Sequence, residues 1–258
     1  MDKQSKTEDL FLANTGTSDL KYEIYLSDRA DSPKAKTALF ATGYNRYGQL
    51  GDGSTTNRKV PVEVLANAKK VASGYDHTMV LKEDGSLWGT GRNWAGQLGD
   101  GSKSDKKSLV KIFDKGIRNI ATGYYHTLVH KDDGSLWGMG YNRYGQLGIG
   151  KNNDHQTSPV QIIENRVLKI SAGWAHTMIL KEDGSLWGTG HNFWGQLGNG
   201  TISNTNTPIK IFESGVKDVT AGYYFTMVLK EDGSLWGIGN NSYGQLGNGK
   251  SDTKITRP

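Results

Sequence analysis

The sequence repeats itself, and this repetition constrains the fold more than any other feature. The tetrapeptide Gly-Gln-Leu-Gly occurs five times, beginning at Gly48, Gly96, Gly145, Gly195 and Gly244. The hexapeptide Asp-Gly-Ser-Leu-Trp-Gly occurs four times, beginning at Asp84, Asp133, Asp183 and Asp232. Successive copies of either string begin 48 to 50 residues apart. This period predicts a series of similar modules, each of which buries its apolar surface against the module beside it.

Each repeat unit reads as four short strands. Residues 77–81 alternate in the way that favours a strand, and the Asp-Gly turn at 84–85 joins them to a second strand at 86–89. After the loop that contains Gly-Gln-Leu-Gly, a third strand is predicted at positions such as 60–64, and a fourth at 70–73. No segment shows the apolar period of a helix.

The composition agrees with a chain of short strands and tight turns. The 258 residues include 35 Gly, 12 Tyr, 7 Trp, 6 Phe and only 5 Pro. This glycine content has no three-residue period, so it is not collagen-like, and the aromatic content is unlike that of a disordered linker. The chain has no Cys, which excludes disulfides and thiolate chemistry.

Charge and hydropathy limit the possible partners. The formal net charge is +5, from 31 basic and 26 acidic residues. Because the two signs are interspersed, nucleic-acid binding is a weaker prediction than protein binding. The first residues lack the apolar run of a signal peptide, and no window is apolar enough for a membrane span. We therefore expect a soluble protein without membrane association, cytoplasmic by default.

Four antiparallel strands in each unit are typical of one blade of a β-propeller. The predicted fold class is therefore all-β, a β-propeller of about five four-stranded blades. Neighbouring blades bury each other's faces, and the repeated tryptophans are the expected filler between them. These structural tryptophans are Trp88, Trp137, Trp187 and Trp236.

The repeat resembles that of a known family. The pattern is Gly-x-x-His-Thr with three apolar residues, then Asp-Gly-x-Leu-Trp-Gly-x-Gly-x-Asn-x-x-Gly-Gln-Leu-Gly, from Thr37 onward. It is similar to the repeat of the regulator of chromosome condensation family. The resemblance implies a β-propeller, typically of seven blades, which is more than this chain has repeats. Family members include an exchange factor for a small GTPase and a proteinaceous β-lactamase inhibitor, but the resemblance alone does not transfer these activities.

The ends of the chain determine how many blades form and whether they close. Residues 1–36 do not repeat visibly, whereas residues 37–258 carry the repeats. Residues 21–26 have the alternation of a strand and are expected to replace the strand that the other units have at 77–81 and its equivalents. Residues 9–13 are expected to supply the fourth strand that the last unit lacks and so to close a five-bladed ring. The alternatives are an open arc and a fragment of a seven-bladed propeller.

Three histidines occupy one repeat position, which holds phenylalanine in the fourth copy. They are His77, His126 and His176, and the phenylalanine is Phe225. A zinc site would need their ring nitrogens to converge on one ion, whereas equivalent positions on separate blades are expected to lie further apart. We therefore predict a structural role, such as a hydrogen bond to a neighbouring loop, and no metal site.

Possible catalytic motifs follow the repeat. Adjacent carboxylates recur in every Asp-Gly turn, at 83–84, 132–133, 182–183 and 231–232. This repetition favours turn formation over acid–base catalysis, because a catalytic constellation should break the repeat symmetry. Residues 244–251 match a phosphate-loop pattern, but the same loop in the other units does not keep it. No catalytic residue and no cofactor are predicted, and the chain is not expected to be an enzyme.

The residues that vary between units are the candidates for recognition. In the long loops the Gly, Asn, Gln and Leu positions are constant, whereas the positions between them change and are rich in Tyr, Trp and Arg. These residue types are enriched at interface hot spots. The predicted partner-binding residues are Tyr44, Arg46, Tyr47, Arg92, Trp94, Tyr141, Arg143, Tyr144, His191, Phe193, Trp194 and Tyr243. A second varying pair lies at 75–76 and its equivalents; the alternative for any one aromatic residue is packing between loops.

The leading functional hypothesis is a non-catalytic protein–protein interaction scaffold that presents these aromatic residues and arginines on one face of a propeller. The partner is a protein of unknown identity. Guanine-nucleotide exchange on a small GTPase is the first alternative, because the resemblance includes an exchange factor. Nucleic-acid or chromatin binding is the second alternative, and it rests on the positive net charge and on lysine pairs such as 69–70.

Overall fold

The chain folds into short strands connected by turns and loops. The computed structural model describes residues 38–152, 155–251 and 254–257, and these residues contain seventeen strands and no helix. The strands form five antiparallel sheets, so the all-β prediction is confirmed. Three of the sheets have the four strands predicted for a blade, while the first has two and the last has three. Accordingly, this part of the chain offers no helix long and apolar enough to cross a membrane.

The five sheets follow one another along the chain. The first contains β1 (Ala38–Gly43) and β2 (Arg58–Ala66). The second contains β3 (Ala68–Ser73), β4 (His77–Lys82), β5 (Leu87–Gly91) and β6 (Lys106–Phe113). The third contains β7 (Ile117–Thr122), β8 (His126–Lys131), β9 (Leu136–Tyr141) and β10 (His155–Ile163).

The last two sheets repeat this order. The fourth contains β11 (Val167–Ala172), β12 (His176–Lys181), β13 (Leu186–Gly190) and β14 (Thr205–Phe212). The fifth contains β15 (Val216–Ala221), β16 (Phe225–Lys230) and β17 (Leu235–Gly239). An isolated antiparallel bridge between Gly239 and Ile255 lies where the other sheets have a fourth strand.

Asp-Gly turns form the central hairpin of four sheets. Gly85 adopts a φ of 79°, and Asp84 Oδ1 accepts hydrogen bonds from Ser86 N at 2.9 Å and Ser86 Oγ at 2.6 Å. These bonds from Ser86 lower the pKa of Asp84. Trp88 Nε1 donates a hydrogen bond to the same Ser86 Oγ at 2.8 Å. The turn therefore explains why Asp-Gly-Ser-Leu-Trp recurs as a unit.

Each four-stranded sheet takes its first strand from the repeat unit before it. Asn67 alone separates β2 from β3 and adopts a φ of 62°, yet β2 pairs with β1 while β3 pairs with β4. The strand predicted at residues 70–73 lies within β3 and pairs with β4. One residue in the left-handed conformation sends the backbone from one sheet to the next. The first strands of successive sheets contact one another, so β3, β7, β11 and β15 lie innermost around a common axis.

The hydrophobic core lies between the sheets and not within any one of them. Between the second and third sheets it comprises Met79, Leu81, Leu87, Leu98, Ile117, Ile120, Val129 and Met139. Between the third and fourth it comprises Leu128, Leu136, Val167, Ile170, Ala172 and Ile179. Between the fourth and fifth it comprises Met178, Leu180, Leu186, Leu197, Val216, Val219, Ala221 and Val228. Burying one such large side chain contributes about 1.5–3 kcal/mol.

The described residues form an open arrangement and not a closed ring. Leu235 and Trp236 in the fifth sheet are 65% and 38% exposed, whereas Leu136 at the equivalent position of the third sheet is fully buried. The expectation of a closed five-bladed ring is therefore not met, and the open alternative describes this part of the chain. The segments expected to close the ring, 9–13 and 21–26, lie outside the described residues.

Candidate interaction surface

The loops lie on two opposite faces because neighbouring strands are antiparallel. One face carries the short loops after the innermost strands, at 74–76 and its equivalents, and the long loops that contain Gly-Gln-Leu-Gly. We call it the aromatic face. The other, the turn face, carries the Asp-Gly turns and the connections between sheets, such as 114–116.

Constant residues build each long loop of the aromatic face. The Asn45 side chain is buried; its Nδ2 donates to Asp52 Oδ1 at 3.1 Å, and its Oδ1 accepts from Leu50 N at 3.0 Å. Gln49 Oε1 accepts a hydrogen bond from Tyr47 N at 3.0 Å. Gly48 packs so closely on the next sheet that a Cβ there would overlap the backbone of β6. The same constant positions recur in the other loops, so the residues between them are free to differ.

The three histidines connect neighbouring sheets. His77 Nε2 lies 3.0 Å from Thr127 Oγ1 in the next sheet, and His126 and His176 make the same contact at 3.3 and 3.1 Å. Thr127 Oγ1 donates to the Gln97 carbonyl oxygen at 2.7 Å, so it accepts its other hydrogen bond from His77 Nε2–H. Burial lowers the pKa of each histidine to about 3, which keeps the rings neutral.

The repeated tryptophans lie at the outer edge of the contacts between sheets. Trp137 packs against the cluster between the second and third sheets, and Trp187 against the cluster between the third and fourth. Trp88 is half-buried, whereas Trp236 is exposed and meets Phe212 edge-on at 6.4 Å. Lysine ammonium groups lie 4.6–5.7 Å from these four indole rings. Leu, Ile, Val and Met side chains fill the centre.

Four aromatic residues converge on the axis of the aromatic face. They follow the innermost strands at one repeat position and are Tyr75, Tyr124, Trp174 and Tyr223. The rings of Tyr75 and Tyr124 stack with centroids 4.0 Å apart, and Tyr124 also meets Tyr223 edge-on at 6.0 Å. The backbone N–H of each of the first three donates to the carbonyl oxygen of the next at 3.2–3.3 Å. These four were not among the predicted partner-binding residues, although their shared repeat position was a usable signal.

Six of the twelve predicted partner-binding residues join this central group. Trp94 contacts Tyr141 at a centroid distance of 5.7 Å, and Tyr144 contacts Trp174 at 5.4 Å. His191 lies 5.3 Å from Trp174, and Phe193 meets Trp194 edge-on at 5.4 Å. Tyr125 and Tyr224 complete a continuous aromatic cluster from the second to the fifth sheet.

The remaining predicted residues lie at the border of the cluster. Arg92 connects Tyr47 to it, because its guanidinium lies 4.6 Å from the Tyr47 ring and 5.4 Å from the Tyr125 ring. Tyr44 contacts Tyr47 edge-on. The structure does not bring Arg143 or Tyr243 into a ring contact among the described residues. Five of the predicted residues are exposed: Tyr44, Arg46, Arg143, Phe193 and Tyr243.

The sequence from 34 to 258 matches the family model described as RCC1-like domain. The chain belongs to the RCC1-like domain family. Its fold is similar to that of human WBSCR16, with a TM-score of 0.75 and 23% identity over 87% of this chain and 66% of that one. It is also similar to Prp20p from Saccharomyces cerevisiae, with a TM-score of 0.73 and 22% identity over 86% of this chain and 58% of that one.

A structure of yeast RCC1 (Prp20) bound to Kap60 matches equally well. The TM-score is 0.74 and the identity 22%, over 86% of this chain and 56% of that one. Identities this low show a shared fold and nothing finer. This RCC1-like chain spans between 56% and 66% of the length of these structures.

The aromatic face of this RCC1-like domain is cationic at its border. Arg92 pairs with the buried Asp76 at 3.3 Å, which leaves Arg46, Arg143 and Lys254 as cations without an ion pair within the described residues. Lys254 Nζ lies 4.1 Å from the centre of the Phe193 ring. Burial raises the pKa of the central tyrosines, that of Tyr224 to about 12, so their hydroxyls remain hydrogen-bond donors at neutral pH. The residues that the structure describes contain no cluster of three His, Asp or Glu suited to a metal ion.

Proposed function

We propose that this RCC1-like domain binds a protein partner through its aromatic face and does not catalyse a reaction. The observation that carries the proposal is the continuous aromatic cluster, which crosses four sheets and has exposed arginines at its border. Tyr, Trp and Arg are enriched among the residues that supply most of the binding energy at protein interfaces. The aromatic side chains bury large areas with few rotatable bonds, and the arginine guanidinium offers five N–H donors.

The loop architecture supports this use of the face. Arg46, Trp94, Arg143 and Phe193 occupy equivalent positions, yet the hydrogen bonds of the constant Asn and Gln residues are the same in these loops. The fold therefore does not require any particular side chain at this position. Aromatic and cationic residues at positions that the fold leaves free are best explained by binding.

The charge of the face indicates the kind of partner surface. Arg46, Arg143 and Lys254 would attract carboxylates, while exposed rings such as Phe193 would pack on apolar groups. We expect a partner that presents acidic side chains among apolar ones. Yeast Prp20, similar in fold, has a structure with Kap60 and is described together with its binding to Gsp1p and histones. These partners make a protein partner for this chain a reasonable proposal.

A pair of matched variants tests the proposal. The face variant combines Arg46→Ala, Arg143→Ala, Phe193→Ala and Tyr243→Ala, all at exposed positions where truncation should leave the fold intact. The control variant also removes two cations and two exposed apolar side chains, but away from this face. It combines Lys115→Ala, Leu168→Ala, Lys217→Ala and Leu235→Ala, all at exposed positions on the turn face.

The measurement starts with capture from cell extract by the wild-type protein and ends with the dissociation constant of the purified partner. We expect the face variant to bind at least tenfold more weakly and the control variant to bind within twofold of wild type. Equal binding by the wild type and the face variant would refute the proposal. Nucleotide release from small GTPases, measured with the same proteins, separates simple binding from nucleotide exchange.

A further inference from the structure

The innermost strands β3, β7, β11 and β15 carry a group of cations at the end that lies on the turn face. Each of them begins at the turn face, and its second and third residues lie around the axis. The second residues are Lys69, Arg118, Leu168 and Lys217, and the third residues are Lys70, Asn119, Lys169 and Asp218. We call these eight residues the axial basic ring. It holds five cations and one carboxylate, although the chain as a whole is nearly balanced in charge.

The third residues of the ring are linked from strand to strand. Lys70 Nζ donates to Asn119 Oδ1, and Lys169 Nζ forms an ion pair with Asp218. Burial and then the positive charge of Lys169 lower the pKa of Lys70. The two ammonium groups therefore repel each other, and among the described residues only Lys169 has a carboxylate partner.

The charged second residues of the ring are free to interact with a ligand. Lys69, Arg118 and Lys217 are exposed, and within the residues that the structure describes none of them forms an ion pair. The remaining second residue, Leu168 of β11, is 47% exposed. Three exposed cations therefore lie at the turn-face ends of the innermost strands, next in the chain to Lys70, Asn119 and Asp218.

Carboxylates surround this positive centre at a larger radius. The Asp-Gly turns lie on the same face beyond the innermost strands, and hydrogen bonds from Ser86 and its equivalents keep their aspartates ionised. Charges on a protein surface act over roughly 8–10 Å at ordinary salt, so a small ion at the axis interacts mainly with the ring. An extended polyanion lying across the whole face would also meet the carboxylates.

We infer that the axial basic ring binds a compact multivalent anion of the phosphate type. Cations from four innermost strands, which contact one another in series, lie at the same end of the axis, so several of them can contact the oxygens of one anion. The site is independent of the proposed protein interaction, because it lies on the opposite face, roughly 20 Å away along strands of six residues.

Titration calorimetry of the whole chain with tripolyphosphate at low salt tests the inference. We expect binding that weakens at least fivefold in Lys70→Gln and in Lys169→Gln. Asp218→Asn should bind at least twofold more tightly than wild type, because it removes the one carboxylate of the ring. The control is Lys115→Gln, which removes one cation from the same face outside the ring and should change binding less than twofold.

Three results would overturn the inference. They are no binding at millimolar tripolyphosphate, an equal loss in Lys115→Gln and in the ring variants, and tighter ring-dependent binding of duplex DNA. Thermal unfolding of each variant shows whether a loss reflects misfolding, and the gain expected for Asp218→Asn does not arise from misfolding. Capture of the protein partner should be unaffected by the ring variants, so failure of one proposal leaves the other testable.

Discussion

The third and fifth sheets contain nearly the same residues in different surroundings. Leu136 and Leu235 occupy the same place in the Asp-Gly-Ser-Leu-Trp-Gly string, but Leu136 is fully buried and Leu235 is 65% exposed. The third sheet packs against the fourth on this flank, whereas no described residue covers the fifth sheet there. The difference shows that burial in this protein is supplied by the next sheet and not by the sheet's own hairpin.

Hydrogen bonding between the sheets shows the same difference. His126 of the third sheet donates to Thr177 of the fourth, whereas the equivalent residue of the fifth sheet is Phe225, which has no such donor. At the other end of the series, Thr78 Oγ1 lacks a hydrogen-bond partner among the described residues, because the described part of the first sheet contains no histidine to donate to it. Contacts between neighbouring sheets therefore explain both the apolar and the polar parts of the repeat.

Truncating Leu136 and Leu235 should give the largest difference in stability between the third and fifth sheets. We expect Leu136→Ala to lower the free energy of unfolding by about 2–5 kcal/mol, because it leaves a cavity between two packed sheets. Leu235→Ala should lower it by less than about 1 kcal/mol, because the side chain is already in water. Urea unfolding followed by circular dichroism measures both values. Similar losses in the two variants would contradict the comparison.

Replacing a glycine by alanine should also destabilise the third sheet more than the fifth, but by a smaller amount than the leucine truncations. A Cβ at Gly123 would overlap both the His126 ring and the carbonyl oxygen of Gly173 in the next sheet. The three atoms nearest to a Cβ at Gly222 all belong to the ring of Phe225, which is half-buried and can move. We expect Gly123→Ala to cost about 1–3 kcal/mol and Gly222→Ala clearly less. Thermal unfolding of the two variants measures this difference. A larger loss of stability in Gly222→Ala than in Gly123→Ala would contradict the prediction.

The histidines should make stability depend on pH. Their pKa is about 3 in the folded protein and about 6.5 when unfolded, so between these values the unfolded chain binds more protons. Stability is therefore complete above about pH 6.5 and falls as the pH is lowered towards 3. Each histidine contributes about 1 kcal/mol to the loss between pH 7 and pH 5.5.

The variant His126→Phe copies the residue of the fifth sheet into the third. It should lose about 1 kcal/mol at pH 7, where the hydrogen bond to Thr177 is missing. It should also lose stability less steeply than wild type as the pH falls, because two such histidines remain instead of three. Denaturant titrations at several pH values give this slope, and an unchanged slope would mean that His126 is not the neutral buried group described.

Local chemistry made much of the fold predictable from the sequence. The roles of Asp84 and Gly85 in the turn depend only on residues close in the chain, so the hairpins and their spacing followed from the repeat. Which strands join to form each sheet could not be predicted from local chemistry. Asn67 directs β3 away from β2, and nothing in its neighbours distinguishes this corner from an ordinary turn.

The interaction surface was predictable only in part, for a related reason. The variable loop positions identified Trp94 and Tyr144, but their contacts with the central rings depend on how the sheets are arranged around the axis. Tyr124 and Trp174 come together because their strands lie innermost, and the sequence alone did not establish this position. Exposure also depends on the neighbouring sheet, as Leu235 shows.

Amide hydrogen exchange of the free protein tests most directly the claim that each sheet is stabilised by its neighbours. Strands β8 and β12 lie in sheets that are packed on both sides, so their amides should exchange slowest. The amides of β17 should exchange at least tenfold faster, although its sequence nearly repeats that of β9 and β13. Equal protection of β17 and β13 would contradict the account, because it would mean that each hairpin is stable without a neighbour.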